Sequence, residues 1–578
     1  MKTRNASPRA DRSGYALLLV LVFGGIGLLA LAGALDWTMT NGTLIHRENQ
    51  HYKTLAAAEA ATEKVLTRIT SDFKNSGETY VYDHLSTYTA LVPTSSENAA
   101  WAGFSFNNAA GGSGQTHVGR TVTQAYVSLE SQYTGLSGFA STYRIVSNAR
   151  EVGGRFSATD SAVQQDVQLA SIPIFQFAIF YSGDMEFNGC STLSIRGRVH
   201  GNANLYTGSG STQTFYEDVT VSGIASNGVR YGWSTNGGGP VYLDGVPDQH
   251  HTALTLPIGT NNTAAAVREV IQMPPDGEDI NSAMGRERYY NKAELVILVS
   301  NATVTVGVKT PFTSTLVPIN SATNFICVTN LFTDKRENKT IMTTELDIVK
   351  YTSWAATNNE VSTTLGAGVT PNLIYVGDFR TETASKIAGV RLVNGKTLPP
   401  RGLTVATPNP LYTKGHYNQP TDAHLGTTNT VNTKPASLVS DAYTLLSASF
   451  DDSKSANTDP TTRVAVNTTV VAALVTGNVP SAAVYSGGVN NLPRLLEAWT
   501  GKTYTLNGSL VCLYNSAKAT SVFQSPGVYY NAPSRNVNFD LNFTDPTKVP
   551  PGTPSLRTLV RAKWLNPPAG TTTYVGSQ

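Results

Sequence analysis

SGYALLLVLVFGGIGLLALAGAL, residues 13–35, decides how the rest of this 578-residue chain is read, because it sets a glycine and a long uncharged apolar run directly after a basic N-terminus. Counted from Tyr15, the run holds 21 residues. As a helix it is about 31 Å long at ~1.5 Å per residue, the thickness of a bilayer's hydrocarbon core. Lys2, Arg4, Arg9 and Arg12 precede it against one acid, Asp11. That bias predicts a single pass with the N-terminus in the cytoplasm and everything after Asp36 exported.

A secretory signal peptide has a similar basic start, and Ala32-Gly33-Ala34 offers it a small-residue cleavage site. The run nevertheless exceeds the ~7 to 15 residues of a signal core, and helix-compatible sequence continues beyond it. In YKTLAAAEAATEKVLTRITSDF, residues 52–73, Leu55, Glu59, Thr62, Leu66, Ile69 and Phe73 recur at steps of four and three, the spacing of one stripe on an amphipathic helix. Two of these six positions are polar, a poor seam for a coiled coil. The stripe is therefore expected against the following β domain or a neighbouring subunit. Ser76-Gly77 supplies the stop.

Ser13-Gly14-Tyr15-Ala16-Leu17-Leu18-Leu19-Val20 resembles the leader and opening of type IV pilin-like proteins, and Ala56-Ala57-Ala58-Glu59-Ala60 resembles the alanine-rich continuation of the helix in their PilX/GspK-like minor pilins. The resemblance covers about the first 75 residues. It implies that a prepilin peptidase cuts after Gly14 and that Tyr15 becomes the methylated N-terminus. It also implies three partners: the bacterial inner membrane, that peptidase and other pilin-like subunits. Leu19 departs from the family pattern, since major pilins place a glutamate at this fifth mature position, where it pairs with a neighbour's terminal amine. An acid in lipid is costly without a partner. Its absence suits a tip or initiating subunit, and equally a membrane anchor that never enters a filament.

Composition narrows the function classes. The 42 basic and 40 acidic residues nearly cancel, and only 14% of residues are charged. Nucleic acid is not expected as a partner, because phosphate binding needs a concentrated basic face. With 40% hydrophobic residues and 50 glycines, the exported part can bury a core while Asn, Thr, Ser and Gly supply turns and an uncharged surface. Cys190, Cys327 and Cys512 form no CxxC spacing and leave at least one thiol unpaired. They read as small buried side chains, with one long-range disulfide as the alternative.

Residues 77–181 read as a pilin-like α/β connecting region, with strand text in TYRIVS (142–147) and a continuous apolar run in IPIFQFAIF (172–180). From Ser182 the text changes to short alternating segments closed by Gly or Asn: MEFNG, LSIRGRVHGN, NLYTGSGS and VTVSGIASNG. These suggest rungs of a β-solenoid or parallel β-helix of irregular period, with Gly and Asn at left-handed corners. The style returns in GLTVATPNPLYTKGHYN (402–418), VAALVTGNV (471–479) and LNGSLVCLYNS (506–516). AELVILVS (293–300) reads as a buried strand, residues 264–273 and 436–447 as helical pieces, and DPTKVPPGTP (545–554) as a stiff segment over the domain surface. The expected organisation is a leader at 1–14, a transmembrane and amphipathic helix at 15–76, the connecting region at 77–181 and one large exported domain at 182–578. The fold class is mainly β with a long N-terminal transmembrane α-helix, an interrupted solenoid and a few short helices.

Chemistry-bearing clusters are sparse. Asp276, Glu278 and Asp279 in PPDGEDI, and Asp451, Asp452 and Asp459 in DDSKSANTDP, read as solvated turns, with calcium-binding loops as the alternative. Sugar hydrolysis needs two carboxylates facing each other at about 5 to 10 Å across a cleft, which adjacent loop residues do not supply. His200 reads as a hydrogen-bonded structural residue at a corner, and His250, His251, His416 and His424 as surface residues without metal-ligand spacing. Asp334-Lys335-Arg336-Glu337 reads as an exposed charged turn. Tyr231, Trp233, Tyr412, Tyr417, Tyr529 and Tyr530 sit in glycine- or asparagine-rich contexts. They are the candidates for stacking on a surface polysaccharide or protein ligand, with aromatic caps on corners as the alternative.

No catalytic, cofactor or metal residues are assigned; Gly14 and Tyr15 are the assigned processing residues. The leading reading is a non-enzymatic structural subunit, a minor pilin or pseudopilin of a type IV pilus or type II secretion-like filament. A head this large is too bulky to repeat along a thin filament, which implies low copy number or a tip position. The second reading is a membrane-anchored or secreted β-helical adhesin or carbohydrate-binding protein.

Overall fold

The computed structural model describes residues 13–108, 112–156, 160–187, 192–208, 211–228, 239–480, 488–523 and 527–569. One helix runs Ser13–Ser76, roughly 95 Å of rod at ~1.5 Å per residue. Its first half buries nothing. Burial starts at Gln50 and continues through Thr54, Ala57, Ala58, Ala61, Thr62, Val65, Leu66, Ile69 and Phe73. Of the expected stripe, Thr62, Leu66, Ile69 and Phe73 are buried, whereas Leu55 and Glu59 sit half-buried on the flank. Alanines take the inner face at that level, which lets the helix backbone approach closely. The polar members are matched: Thr54 Oγ1 lies 2.6 Å from Ser161 Oγ, and Thr62 Oγ1 donates to Ser147 Oγ at 3.0 Å. The stripe therefore packs on the chain's own sheet.

That sheet is antiparallel. Phe104–Asn107 and His117–Ser128 both pair with Ser137–Glu151, which pairs with Asp160–Pro173, which pairs in turn with Ser555–Leu565. Strand alternation sends Val167 and Leu169 toward Leu66 and Ile69 of the helix, and Ala170 and Ile172 to the opposite face. The chain thus leaves the sheet at Pro173, builds residues 174–554, and returns to complete it. This differs from the expected single exported domain at 182–578, because Ser555–Leu565 belongs to the sheet under the helix. A pairing so distant in sequence leaves no local signal.

The returning strand also fastens the helix. Arg561 makes a two-bond pair with Glu63 at 2.5 and 2.8 Å. Arg557 Nη1 donates to the carbonyls of Phe73 and Lys74 at 3.4 and 3.3 Å, joining Gly77 N, which donates to Phe73 O at 3.0 Å, and placing a cation at the helix's negative end. Gly77 follows at φ 88°, and a Cβ there would lie 3.1 Å from Arg557 Nη2. Backbone conformation and space both favour glycine.

Residues 174–554 stack mostly parallel strands, with antiparallel pairs where Leu295–Val299 meets Val304–Val308 and Leu331–Asp334 meets Lys339–Asp347. Ile179–Tyr181, Val199–Gly201 and Val219–Val221 pair in register. So do Met185–Glu186, Leu205–Tyr206 and Ala225–Ser226, and likewise Leu193–Ile195 with Gln213–Phe215. Strand starts at 179, 199 and 219, and at 185, 205 and 225, give a 20-residue return, so the spacing expected to be irregular is regular over these coils. From Leu373 onward the coils are wider and two sheets alternate. Leu373–Asp378, Leu403–Ala406, Ala436–Ser440, Thr468–Asn478 and Thr503–Asn515 lie in one; Lys386–Val393, Leu411–Lys414, Tyr443–Leu446 and Arg494–Leu495 lie in the other.

Thr503–Asn515 docks parallel on Ile179–Tyr181, with Leu510 opposite Ile179 and Cys512 opposite Tyr181. The order within the large sheet is therefore discontinuous: strands from 295 to 515, then strands from 179 to 221. The polypeptide climbs from this seam to one end, crosses outside the sheet through residues 249–293, restarts at the far end and winds back. Both faces of the sheet are buried as a result. Ile374 and Val376 join the inner cluster, while Tyr375 joins an outer one covered by Leu254, Leu256, Val267, Ile271 and Tyr289 of the crossing segment. Two-sided burial explains why AELVILVS and VAALVTGNV are apolar without alternation.

Ala264–Arg268 with Glu269–Ile271 is helical as expected. Residues 436–447 are instead two fully buried strands, Ala436–Ser440 and Tyr443–Leu446, because pairing within both stacks overrides local helix preference. Residues 545–554 lie over the large sheet, Thr404 Oγ1 donating to Pro551 O at 2.7 Å, and lead into the closing strand.

Arg557→Ala removes both helix-end bonds and is expected to lower the unfolding free energy by about 1–3 kcal/mol and to speed amide exchange at residues 77–81. The exposed control Lys563→Ala should leave both unchanged. Denaturant melts with hydrogen-exchange mass spectrometry provide the check.

Candidate functional site

The helix presents the first candidate surface. It is long and apolar enough to cross a membrane, with a mean hydropathy of 2.6 over its most apolar window, none of which is buried. Gly14 lies in the first turn; Tyr15 is 77% exposed and Leu19, one turn on, 50%. The expected leader's residues 1–12 lie outside the described residues. Leu17, Leu18, Leu21, Phe23, Leu28, Leu29 and Leu35 are all exposed, and a helix apolar all round needs lipid or other helices against it. Tyr15 and Trp37 bracket the run about 33 Å apart along the axis, the spacing at which aromatic side chains sit in the two membrane interfaces. Met39, Leu44, Ile45 and Tyr52 remain exposed beyond it.

The charged turn expected on the surface of the head lies inside it. Asp334, Arg336 and Glu337 are 1%, 7% and 6% exposed. Asp334 accepts from Tyr412 OH at 2.9 Å and from the amides of Arg336 and Glu337 at 2.9 and 3.1 Å. Glu337 pairs with Arg494 at 2.5 Å, and Arg336 donates to Ser521 O at 3.2 and 3.1 Å and to Asn491 Oδ1. Burial raises the Asp334 carboxyl above the usual range. Burial pushes Glu337 the same way, yet the Arg494 charge and its hydrogen bonds hold it low. The tetrapeptide is hydrophilic locally; partners from three distant segments make it internal.

The aromatic candidates are also internal. Tyr412, Tyr417, Tyr529 and Tyr530 are buried core residues, while Tyr231 and Trp233 lie outside the described residues. The neighbouring glycines serve close packing: a Cβ at Gly395 would lie 2.5 Å from the Tyr417 ring. These four tyrosines offer no stacking surface.

The carboxylate clusters act as local anchors. Arg288 donates to Glu278 at 2.7 Å, and Arg391 to Asp452 at 2.7 and 2.9 Å. Asp279, Asp451 and Asp459 accept from the amides of Asn281, Ser453 and Thr461 at 2.9, 3.0 and 2.8 Å; Asp276 is exposed. Among the described residues no group of three or more His, Cys, Asp or Glu is placed to share an ion. Cys327 and Cys512 are free thiols, the buried Cys512 pushed up to about 12 by desolvation; Cys190 lies outside the described residues.

His200 sits within a strand and not at a corner. Its Nδ1 lies 2.7 Å from Thr220 Oγ1 and its Nε2 2.9 Å from Asn202 Oδ1, with the ring stacked on Phe180. Burial lowers it to about 4. His251, expected at the surface, is buried edge-on against it. Sequence reasoning missed Glu497, fully buried, whose two carboxylate oxygens accept from Ser447 N and Ser447 Oγ at 2.6 Å each. Burial raises it to about 7. A lone Glu in LLEAW carries no signal for this; only the Ser447 partner fifty residues away does.

No family model matches the sequence, and no curated protein matches it. Among solved structures one match is the competence-associated pilin ComZ from Thermus thermophilus, 10% identical over 90% of this chain and 97% of that one, with a TM-score of 0.26. At that score the likeness carries no structural equivalence.

The two buried groups pull stability in opposite directions with pH. Glu497, raised from 4.5 to about 7, stabilises below its unfolded value, and that contribution is lost as pH rises to 7. His200, lowered from 6.5 to about 4, stabilises above 6.5, and its contribution is lost as pH falls to 4. Glu497→Gln should therefore melt higher than the native protein at pH 8. It should also lose stability more steeply from pH 6.5 to 4, as read by thermal melts across that range.

Proposed function

We propose that the chain is a non-enzymatic structural protein of the pilin type, a minor pilin or pseudopilin anchored in the bacterial inner membrane with its bulk exported. One observation carries the reading: a single 64-residue helix is bare and apolar along its first half and packs along its second on an antiparallel sheet of the same chain. Such a helix can pass from lipid into a bundle of like helices without refolding, since its packing on the sheet is independent of what covers the exposed half. In this reading a prepilin peptidase cuts after Gly14, Tyr15 becomes the methylated terminus, and Leu19 suits a subunit with none ahead of it. The large insertion implies low copy number or a tip position. The 20-residue returns and parallel stacking support reading the head as an interrupted β-solenoid.

Mass spectrometry of the N-terminal peptide from membrane-fractionated protein tests the proposal. A chain starting at N-methylated Tyr15 is expected, with Gly14→Val accumulating the uncut form. A chain starting at Leu35 overturns the reading, and an intact segment 1–14 reduces the helix to an anchor.

A further inference from the structure

Where Tyr443–Leu446 pairs with Arg494–Leu495, Leu445 lies opposite Leu495, so two residues on, just past both strands, Ser447 meets Glu497. Both are fully buried. From the carboxylate a file of oxygens leads outward: Glu497 Oε1 lies 2.6 Å from Ser447 Oγ, which lies 2.9 Å from Ser449 Oγ, which donates to Val464 O at 2.7 Å. Ser449 is exposed, so the file ends at solvent. The other carboxylate oxygen accepts from Ser447 N at 2.6 Å.

Counting protons decides the state of the acid. The file has three oxygen–oxygen contacts, and the two serine hydroxyls bring one proton each. With Glu497 ionised, one contact holds no proton and sets lone pairs against each other. With Glu497 protonated, Oε1–H donates to Ser447, Ser447 to Ser449 and Ser449 to Val464, and every contact is filled. The charged groups acting on the carboxyl are Arg463, on the loop beside it, and Lys414, in the preceding coil. Arg463 donates instead to the carbonyls of Leu496, Asn457 and Tyr529 at 2.9, 2.6 and 3.2 Å. Both cations favour the ionised form, but burial, which penalises a charge lacking an ion-pair partner, outweighs them.

We propose that Glu497, Ser447 and Ser449 form a proton-operated latch: protonated, the acid holds the 447–449 corner closed on the neighbouring coil, and ionised, it opens that corner to water. The proton leaves along the file. Ser449 gives its hydroxyl proton to water as it takes that of Ser447, which takes the one from Glu497, so both serines end as hydroxyls beside a carboxylate. The latch is independent of how the N-terminus is processed.

The test compares the full chain in lipid nanodiscs with Glu497→Gln and Ser449→Ala, by infrared difference spectra and hydrogen-exchange mass spectrometry from pH 5.5 to 9. Glu497→Gln puts an amide N–H where the acid proton sits. At pH 5.5 the native protein should show a protonated-carboxyl band that this variant lacks, which separates Glu497 from Asp334 and Asp540, two other carboxyls that burial raises. The band should be gone by pH 9. Peptides covering 447–450 should exchange about threefold or more faster in the native protein than in Glu497→Gln at pH 9, and equally at pH 5.5. Ser449→Ala removes the acceptor for the Ser447 proton and should lower the midpoint of the band by about half a unit or more, the worth of one hydrogen bond. A band missing at pH 5.5 or retained at pH 9, equal exchange at pH 9, or an unmoved midpoint in Ser449→Ala would overturn the assignment.

Discussion

The parallel pairing of Leu510, Val511 and Cys512 with Ile179, Phe180 and Tyr181 is the contact on which the architecture depends. A stack of strands has two open edges, each a row of unpaired amides and carbonyls. By ending its second stack on the start of its first, the chain pairs one edge of each stack with the other. It also brings both ends of the insertion back to the small sheet, where Asp160–Pro173 can meet Ser555–Leu565. Geometry on the opposite side of Thr503–Asn515, against Thr468–Asn478, is tight. A Cβ at Gly508 would overlap the Ala472 carbonyl, so the last rung lies closer to its neighbour than any other residue permits.

The small sheet in turn decides what the helix can do. Residues 54–73 are held by alanine packing, by Thr62 to Ser147, and by the two arginines of the closing strand. The head grows out of the sheet on which the helix packs, so displacement of the head bears on the helix through that sheet and not through a linker. A head appended after the sheet would lack this coupling. Insertion inside the sheet makes the helix contacts of Arg557 and Arg561 conditional on the return of the chain from the head.

The parts legible in sequence were those with short-range period. The apolar run, the stripe Thr62, Leu66, Ile69 and Phe73, and the Gly77 stop all follow from helical spacing. The 20-residue return was hidden because only three coils carry it and different residue types fill equivalent places, as with Phe180, His200 and Thr220. Side-chain fate in the head was the least legible. Asp334, Arg336 and Glu337 look like a surface turn, and Tyr412 and Tyr417 like exposed rings beside glycine. Their burial depends on partners such as Arg494, Asn491 and the backbone of Ser521, whose proximity arises only when coils stack. Local polarity reports composition, whereas burial in a stacked fold reports neighbours several coils away.

That distinction bears on the surfaces that remain. In the head, charged groups that look solvated are paired inside, as Arg391 is with Glu345 and Asp452, so local hydrophilicity identifies no binding face. On the helix the reverse holds. Beyond Leu35, about 20 Å of exposed rod precedes the first buried position at Gln50, and it still carries Met39, Leu44 and Ile45. A bilayer of ~30 Å hydrocarbon thickness covers the run from Tyr15 to Leu35 and no more. Isolated exposed apolar residues are ordinary, but these continue the uncovered surface of the span on a rod with no other packing.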